Sequence, residues 1–230
     1  MRIFQLVVVI IILCLSNIVL AQHYNIVVIG QVIDTNWMSQ REVGILKSMK
    51  LTYKKPAILD EVKGMECFED NPQLNEILSC AKHQLHSKDG QFIAFIQIDN
   101  PITEADTLLW KKLMPGRSYD FIDKQHIAQM KKDLRVSLLK EGSLNWRQYV
   151  TYYSSNDAKS KFNADTATFL PITFISPKFY YKGKYNNLEA LYLQKKGRGI
   201  VNFYWFYTDE AKKDLPLYRK AIEGIFRYEN

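Results

Sequence analysis

Glycine and proline are scarce in this 230-residue chain, at ten and seven residues. That scarcity excludes collagen-like, mucin-like and low-complexity designs, which need far more of one or both. No segment recurs at a spacing of ~20–50 residues, so solenoids and propellers are excluded as well. The familiar catalytic signatures are also missing: there is no Gly-x-Ser-x-Gly, no His-Glu-x-x-His and no Walker-type glycine loop. Gly197 and Gly199 form the lone Gly-x-Gly pair, between two strand-like runs with basic flanks. A dinucleotide loop opens a helix, so this pair reads as a hairpin turn, and no cofactor is implied. What the chain does have is 47% hydrophobic and 13% aromatic residues, enough to bury a core and to exclude disorder as its main state.

Long apolar runs are confined to the N-terminus. Met1-Arg2, the apolar stretch Leu6 to Leu15 and the small-residue site at Val19-Leu20-Ala21 follow the order of a signal peptide. An anchor helix needs ~20 apolar residues, and Gln5, Ser16 and Asn17 interrupt this one. A lipoprotein anchor at Cys14 would want a small residue where Leu13 stands. Residues 1–21 are therefore expected to be removed, leaving 22–230 as a single exported domain, periplasmic or extracellular, with no integral membrane span. Processing removes Arg2 and no acid, so 30 basic against 24 acidic residues leave +6. Such a charge suits anionic partners without choosing among them, and nucleic acid is not the expected one in this compartment.

Cysteine is nearly absent. Beyond the leader only Cys67 and Cys80 occur, and an oxidising compartment favours a disulfide between them. Free thiols and a zinc set completed by His83 and His86 are the alternatives, the latter disfavoured because structural sites space their cysteine pairs two to four residues apart. Histidine is equally sparse. His23, His83, His86 and His126 show no triad spacing, and His126, one residue before core-facing Ile127, is expected on a helix surface. Asp165 could serve as an acid, but with Asn163 it is expected to bond the local backbone in a turn.

The pattern of hydrophobicity predicts strands over His23–Gly30, Met49–Tyr53, Glu61–Phe68, Leu144–Tyr153, Thr166–Ile175, Leu188–Lys195 and Ile200–Tyr207. Ser79–His86 and Gln91–Asp99 form a predicted hairpin about Asp89-Gly90. Helices are predicted after Asn71-Pro72, from the cap Thr103 to Met114 before Pro115-Gly116, over Asp123–Lys140 before Gly142, and from Asp214-Leu215-Pro216 with Leu217, Ala221, Ile225 and Tyr228 inward. Strands that follow one another without helices between them pair antiparallel. The fold class is thus α+β: a mostly antiparallel sheet with helices packed on its faces and a closing C-terminal helix. Two subdomains divided near Gly142 would need a looser connection than Glu141-Gly142-Ser143.

Lys161-Phe162-Asn163-Ala164-Asp165, Lys195-Lys196-Gly197-Arg198-Gly199 and Phe206-Tyr207-Thr208-Asp209-Glu210 together resemble a family of exported bacterial proteins with no assigned activity. The order of elements from Met49 to Tyr228 is similar to the PsbP-like α/β sandwich. That resemblance implies a binding or assembly module, and it brings no catalytic residues. Aromatic residues concentrate late, through Phe203, Tyr204, Trp205, Phe206 and Tyr207, beside Lys195, Lys196 and Arg198. One strand face belongs to the core; the other is either covered by a helix or open as a basic aromatic surface, with Tyr204 or Trp205 exposed. The expected function is a non-catalytic module binding an envelope protein or an anionic polymer. The rival is an envelope hydrolase whose site is assembled from scattered residues such as Asp165 and a nearby histidine.

Overall fold

In a computed structural model the described residues are 38–100, 104–114, 125–138 and 145–230, all within the unit Asp34–Asn230. The leader, the strand His23–Gly30, the cap Thr103 and the stops at Pro115-Gly116 and Gly142 lie outside the described residues. In chain order, helix α1 (Gln40–Ser48) precedes strands β1 (Leu51–Tyr53), β2 (Leu59–Val62) and β3 (Glu66–Cys67). Helix α2 (Pro72–Leu78) leads to β4 (Cys80–Ala81) and the hairpin of β5 (His83–Ser87) and β6 (Phe92–Asp99). Helices α3 (Glu104–Leu113) and α4 (Gln125–Leu138) come next, then β7 (Thr151–Tyr152), α5 (Ser155–Phe162) and β8 (Thr166–Ile172). A second hairpin, β9 (Asn187–Lys195) and β10 (Gly199–Tyr207), is followed by α6 (Leu215–Glu223) and β11 (Phe226–Tyr228).

The fold is α+β. Seven strands form one antiparallel sheet in the order β2-β5-β6-β10-β9-β8-β7, while β1 pairs with β11 and β3 with β4. Two antiparallel runs meet at the seam between β6 and β10, where Phe92 lies opposite Tyr207. Strand β10 is apolar at nearly every position because both its faces are covered: all nine of its residues are buried. Its odd side chains, Val201, Phe203, Trp205 and Tyr207, pack with Leu46 of α1, Phe162 of α5, Tyr218 and Ile222 of α6 and Phe226 of β11. Its even side chains, Tyr204 and Phe206, pack with Leu74 and Ile77 of α2 and Met130 and Leu134 of α4. The alternation of a strand thus builds a core on each side of the sheet.

Local chemistry explains most of the boundaries. Ser39 and Glu42 make a reciprocal capping box at the start of α1. Asn71 accepts from the Leu74 amide and Pro72 fills the first turn of α2. Gly90 takes φ +66° in the hairpin turn, a conformation that costs glycine nothing.

Several expectations need correction. Glu61–Phe68 is no single strand: β2 ends at Val62 and β3 begins at Glu66 in a separate two-stranded sheet, with Gly64 at φ +123° between them. Leu144–Tyr153 is no continuous strand: from Asn145 it is a 3-10 turn at Trp146–Gln148 and the two-residue β7, since Trp146 and Tyr149 stand three apart, the 3-10 period. Helix α5 was not predicted, its apolar signal being only Ala158 and Phe162, one turn apart. The closing helix buries Leu215, Tyr218 and Ile222, which turns Leu217 outward, and Tyr228 belongs to β11 beyond it.

Candidate functional site

The basic tip joins the two longest strands. Gly197 at φ +68° allows the turn, and the Arg198 amide closes it on the Lys195 carbonyl at 2.9 Å. From below, Asp165 Oδ2 accepts from the Lys196 amide at 2.8 Å, and Lys195 Nζ donates to the carbonyls of Asn163 at 2.9 Å and Glu229 at 3.3 Å. Asp165 therefore holds the backbone of the β9–β10 turn, distant in the chain, and not the local backbone expected of it. Asn163, left-handed at the end of α5, reaches across to donate to the Tyr228 carbonyl at 2.8 Å rather than bonding locally. Lys196 is exposed and Arg198 half-buried.

Tyr204 and Trp205 are not part of that surface. Both are buried, because the strand that carries them is central in the sheet and has a core on each side. Each instead donates to a buried carboxylate.

On the α4 side, Asp133 Oδ2 accepts from the hydroxyls of Tyr192 at 2.7 Å and Tyr204 at 2.8 Å, and Oδ1 accepts from Gln129 Nε2 at 2.8 Å. Burial pushes the Asp133 carboxyl up to about 6, against the opposing pull of these three donors and of Lys132. Burial, reinforced by the adjacent carboxylate, holds both tyrosines well above their usual range. His126 is not on the surface as expected: it is buried, with Nδ1 donating to Gln194 Oε1, and burial lowers its basicity. Thr168, Tyr192, Asn202 and Gln97 stand in register across β8, β9, β10 and β6, a polar row across the sheet.

On the opposite side, Glu189 accepts from Trp205 Nε1 and from the Tyr207 hydroxyl, each at 2.8 Å. Arg219 of α6 grips the same carboxylate through Nε at 2.9 Å and through Nη2. The Glu189 side chain is 5% exposed and that of Arg219 41%. Bonding to Glu189 raises the basicity of Arg219, while burial and the carboxylate raise Tyr207 above its usual range.

A serine, a carboxylate and an imidazole also converge, at Ser39, Glu42 and His83. The order of contacts is that of a helix cap. Ser39 Oγ donates to Glu42 Oε2 at 2.8 Å, and His83 Nε2 lies 3.2 Å from Glu42 Oε1. A nucleophile would bond the imidazole, with the acid behind it. Burial lowers the basicity of His83 despite its acidic neighbour. Cys67 and Cys80, directly opposed across β3 and β4, are joined in a disulfide, which removes them from the zinc set.

Signals for the missed carboxylates were present. Asp133 sits three after Met130 and beside Leu134, on the inward stripe of α4, and Glu189 interrupts the apolar run of β9. Comparison with protein-family models, curated proteins and solved structures gives no match for the chain.

Proposed function

We propose that this chain is an exported envelope protein without catalytic activity, a binding or assembly module that presents the β9–β10 tip to an anionic partner. The observation that carries the reading is the tip itself: three basic residues within four positions, on a turn fixed from below by Asp165 and the Asn163 carbonyl. A fixed cationic turn loses little freedom when an anion docks on it. The disulfide supports an oxidising compartment. Among the described residues no helix is long and apolar enough to cross a membrane. The acids with the most evident catalytic potential, Asp133 and Glu189, are committed to tyrosine, tryptophan and arginine donors inside the two cores, which supports a structural role for each.

The test is binding to a defined polyanion, immobilised heparin, at two salt concentrations. Lys195→Glu/Lys196→Glu/Arg198→Glu elutes well before the unmodified protein, whereas a charge-matched Lys212→Glu/Lys213→Glu/Lys220→Glu variant elutes close to it, corrected for net charge. Raising salt narrows the difference, since exposed charges are screened beyond ~8–10 Å. Equal retention of the two variants would reduce the tip to one part of a diffuse positive charge. Thermal melts serve as the folding control, with the tip variant expected to lose about 1–3 kcal/mol, chiefly at Lys195, whose ammonium donates to the Asn163 and Glu229 carbonyls.

A further inference from the structure

Among the described residues, large apolar side chains left in solvent are scattered singly, as Met65, Tyr152, Ile175 and Leu217, except on α3. There Leu108, Leu109 and Leu113 are 61%, 52% and 66% exposed, and Met114 follows at 39%. Isolated exposed side chains are ordinary, but a contiguous group is the mark of a surface that meets something apolar. We propose that α3 is an interfacial element that seats this protein on an anionic lipid bilayer.

Charge selects the bilayer as occupant. From Leu108 to Met114 the chain carries two lysines, Lys111 and Lys112, and no acid. Both lysines are exposed. Lys112 stands one turn after Leu108, so its stem can lie along the apolar surface while the ammonium reaches the headgroups. Glu104 and Asp106 are kept to the first turn, where the helix dipole favours acids. A short helix whose leucines share one arc, with Lys112 between Leu108 and Leu109 and Lys111 at the margin, has the composition of a segment that lies in the plane of the interface. Three leucines on a ten-residue helix offer less than the ~800 Å² per partner that a standard protein interface takes, so they fit a lipid surface better than a stable second copy. The net charge of +6 carried by residues 22–230, 30 basic against 24 acidic, acts in the same direction.

The test uses the whole protein with phosphatidylglycerol/phosphatidylethanolamine vesicles and, separately, phosphatidylcholine vesicles. Hydrogen–deuterium exchange reads the segment 104–114 directly, so that lipid contact elsewhere in the chain does not count as support. The expected result is protection of 104–114 with the anionic vesicles and little with the zwitterionic ones. Leu108→Ser/Leu109→Ser/Leu113→Ser abolishes that protection. Lys111→Glu/Lys112→Glu weakens anionic-vesicle affinity by at least tenfold, since each lysine near such a surface contributes roughly fivefold. All five side chains are exposed, so both variants keep the parent's thermal stability, and the lysine variant tests the proposal even if the serine variant does not fold. Unchanged exchange at 104–114 on adding anionic vesicles overturns the proposal. So does protection that appears without lipid as concentration rises and vanishes in the serine variant, which would make α3 a contact between two copies. Neither outcome bears on retention by the β9–β10 tip.

Discussion

Each face of the central sheet buries one carboxylate, and the two are made tolerable in opposite ways. Asp133 is surrounded by neutral donors, the hydroxyls of Tyr192 and Tyr204 and the amide of Gln129. Glu189 has tryptophan and tyrosine donors as well, but its charge is matched by Arg219, which reaches in from α6 with its own side chain partly in water. A buried acid without a cation keeps its proton to a higher pH, whereas Glu189 depends on a guanidinium for two of its hydrogen bonds. The α4 side of the protein is therefore sensitive to acidity, and the α6 side to the loss of one arginine.

The largest expected effect separates the faces through the disulfide. Cys67 and Cys80 enclose α2, which packs on the Asp133 side with α4. Replacing both with serine frees a loop of 13-residue separation and costs about 3 kcal/mol in denaturant unfolding. Hydrogen exchange should rise in α2 and α4 while α6 keeps its protection. A uniform rise across both faces would show that the sheet transmits the loss.

Acidity sharpens the comparison next. Folded Asp133 holds its proton to about pH 6, whereas an unfolded aspartate releases it near pH ~4. The folded state binds more protons in that window, so this group's stabilisation is complete below the unfolded value and is lost as pH rises through about 6. The loss is of order 2–3 kcal/mol. Denaturation series at several pH values should show Asp133→Asn flattening that slope and Glu189→Gln leaving it in place. A slope that persists in Asp133→Asn assigns the titration elsewhere. The smallest effect is that of Arg219→Met. It costs about 2 kcal/mol, less than the ~3–5 of a fully buried pair because water reaches Arg219, and it leaves the Asp133 slope unchanged.

The strands whose apolar runs are continuous were legible. Ile200–Tyr207 could be read as a strand from composition alone, and its neighbours β6 and β9 likewise. What composition could not supply was the number of covered faces. A strand with one open face and a central strand both place Tyr204 and Trp205 on opposite sides, and only the pairing of β10 with β6 as well as β9 buries both. That second pairing joins residues far apart in the chain, which local periodicity does not report. That Asp165 and Asn163 would bond backbone was readable from their residue types, but which backbone was not: Asp165 holds the β9–β10 turn and Asn163 the end of β11, both distant in the chain. Asp133, Glu189 and Arg219 were not recognised as a pattern, since their partners lie on other elements and a lone acid in an apolar stripe carries no indication of who will bond it.

Among the described residues the sheet ends on its two shortest members: β2 has four residues and β7 two. Beyond the two pairs that β7 makes, the free border of β8 carries Pro171, which has no N–H to offer an incoming chain. Seven strands rich in Ile, Leu, Phe and Tyr would be a template for endless lateral growth if their borders were long and flat. Here the borders present few unpaired backbone groups, so the interior can be as hydrophobic as packing demands while the molecule resists adding copies of itself edge to edge.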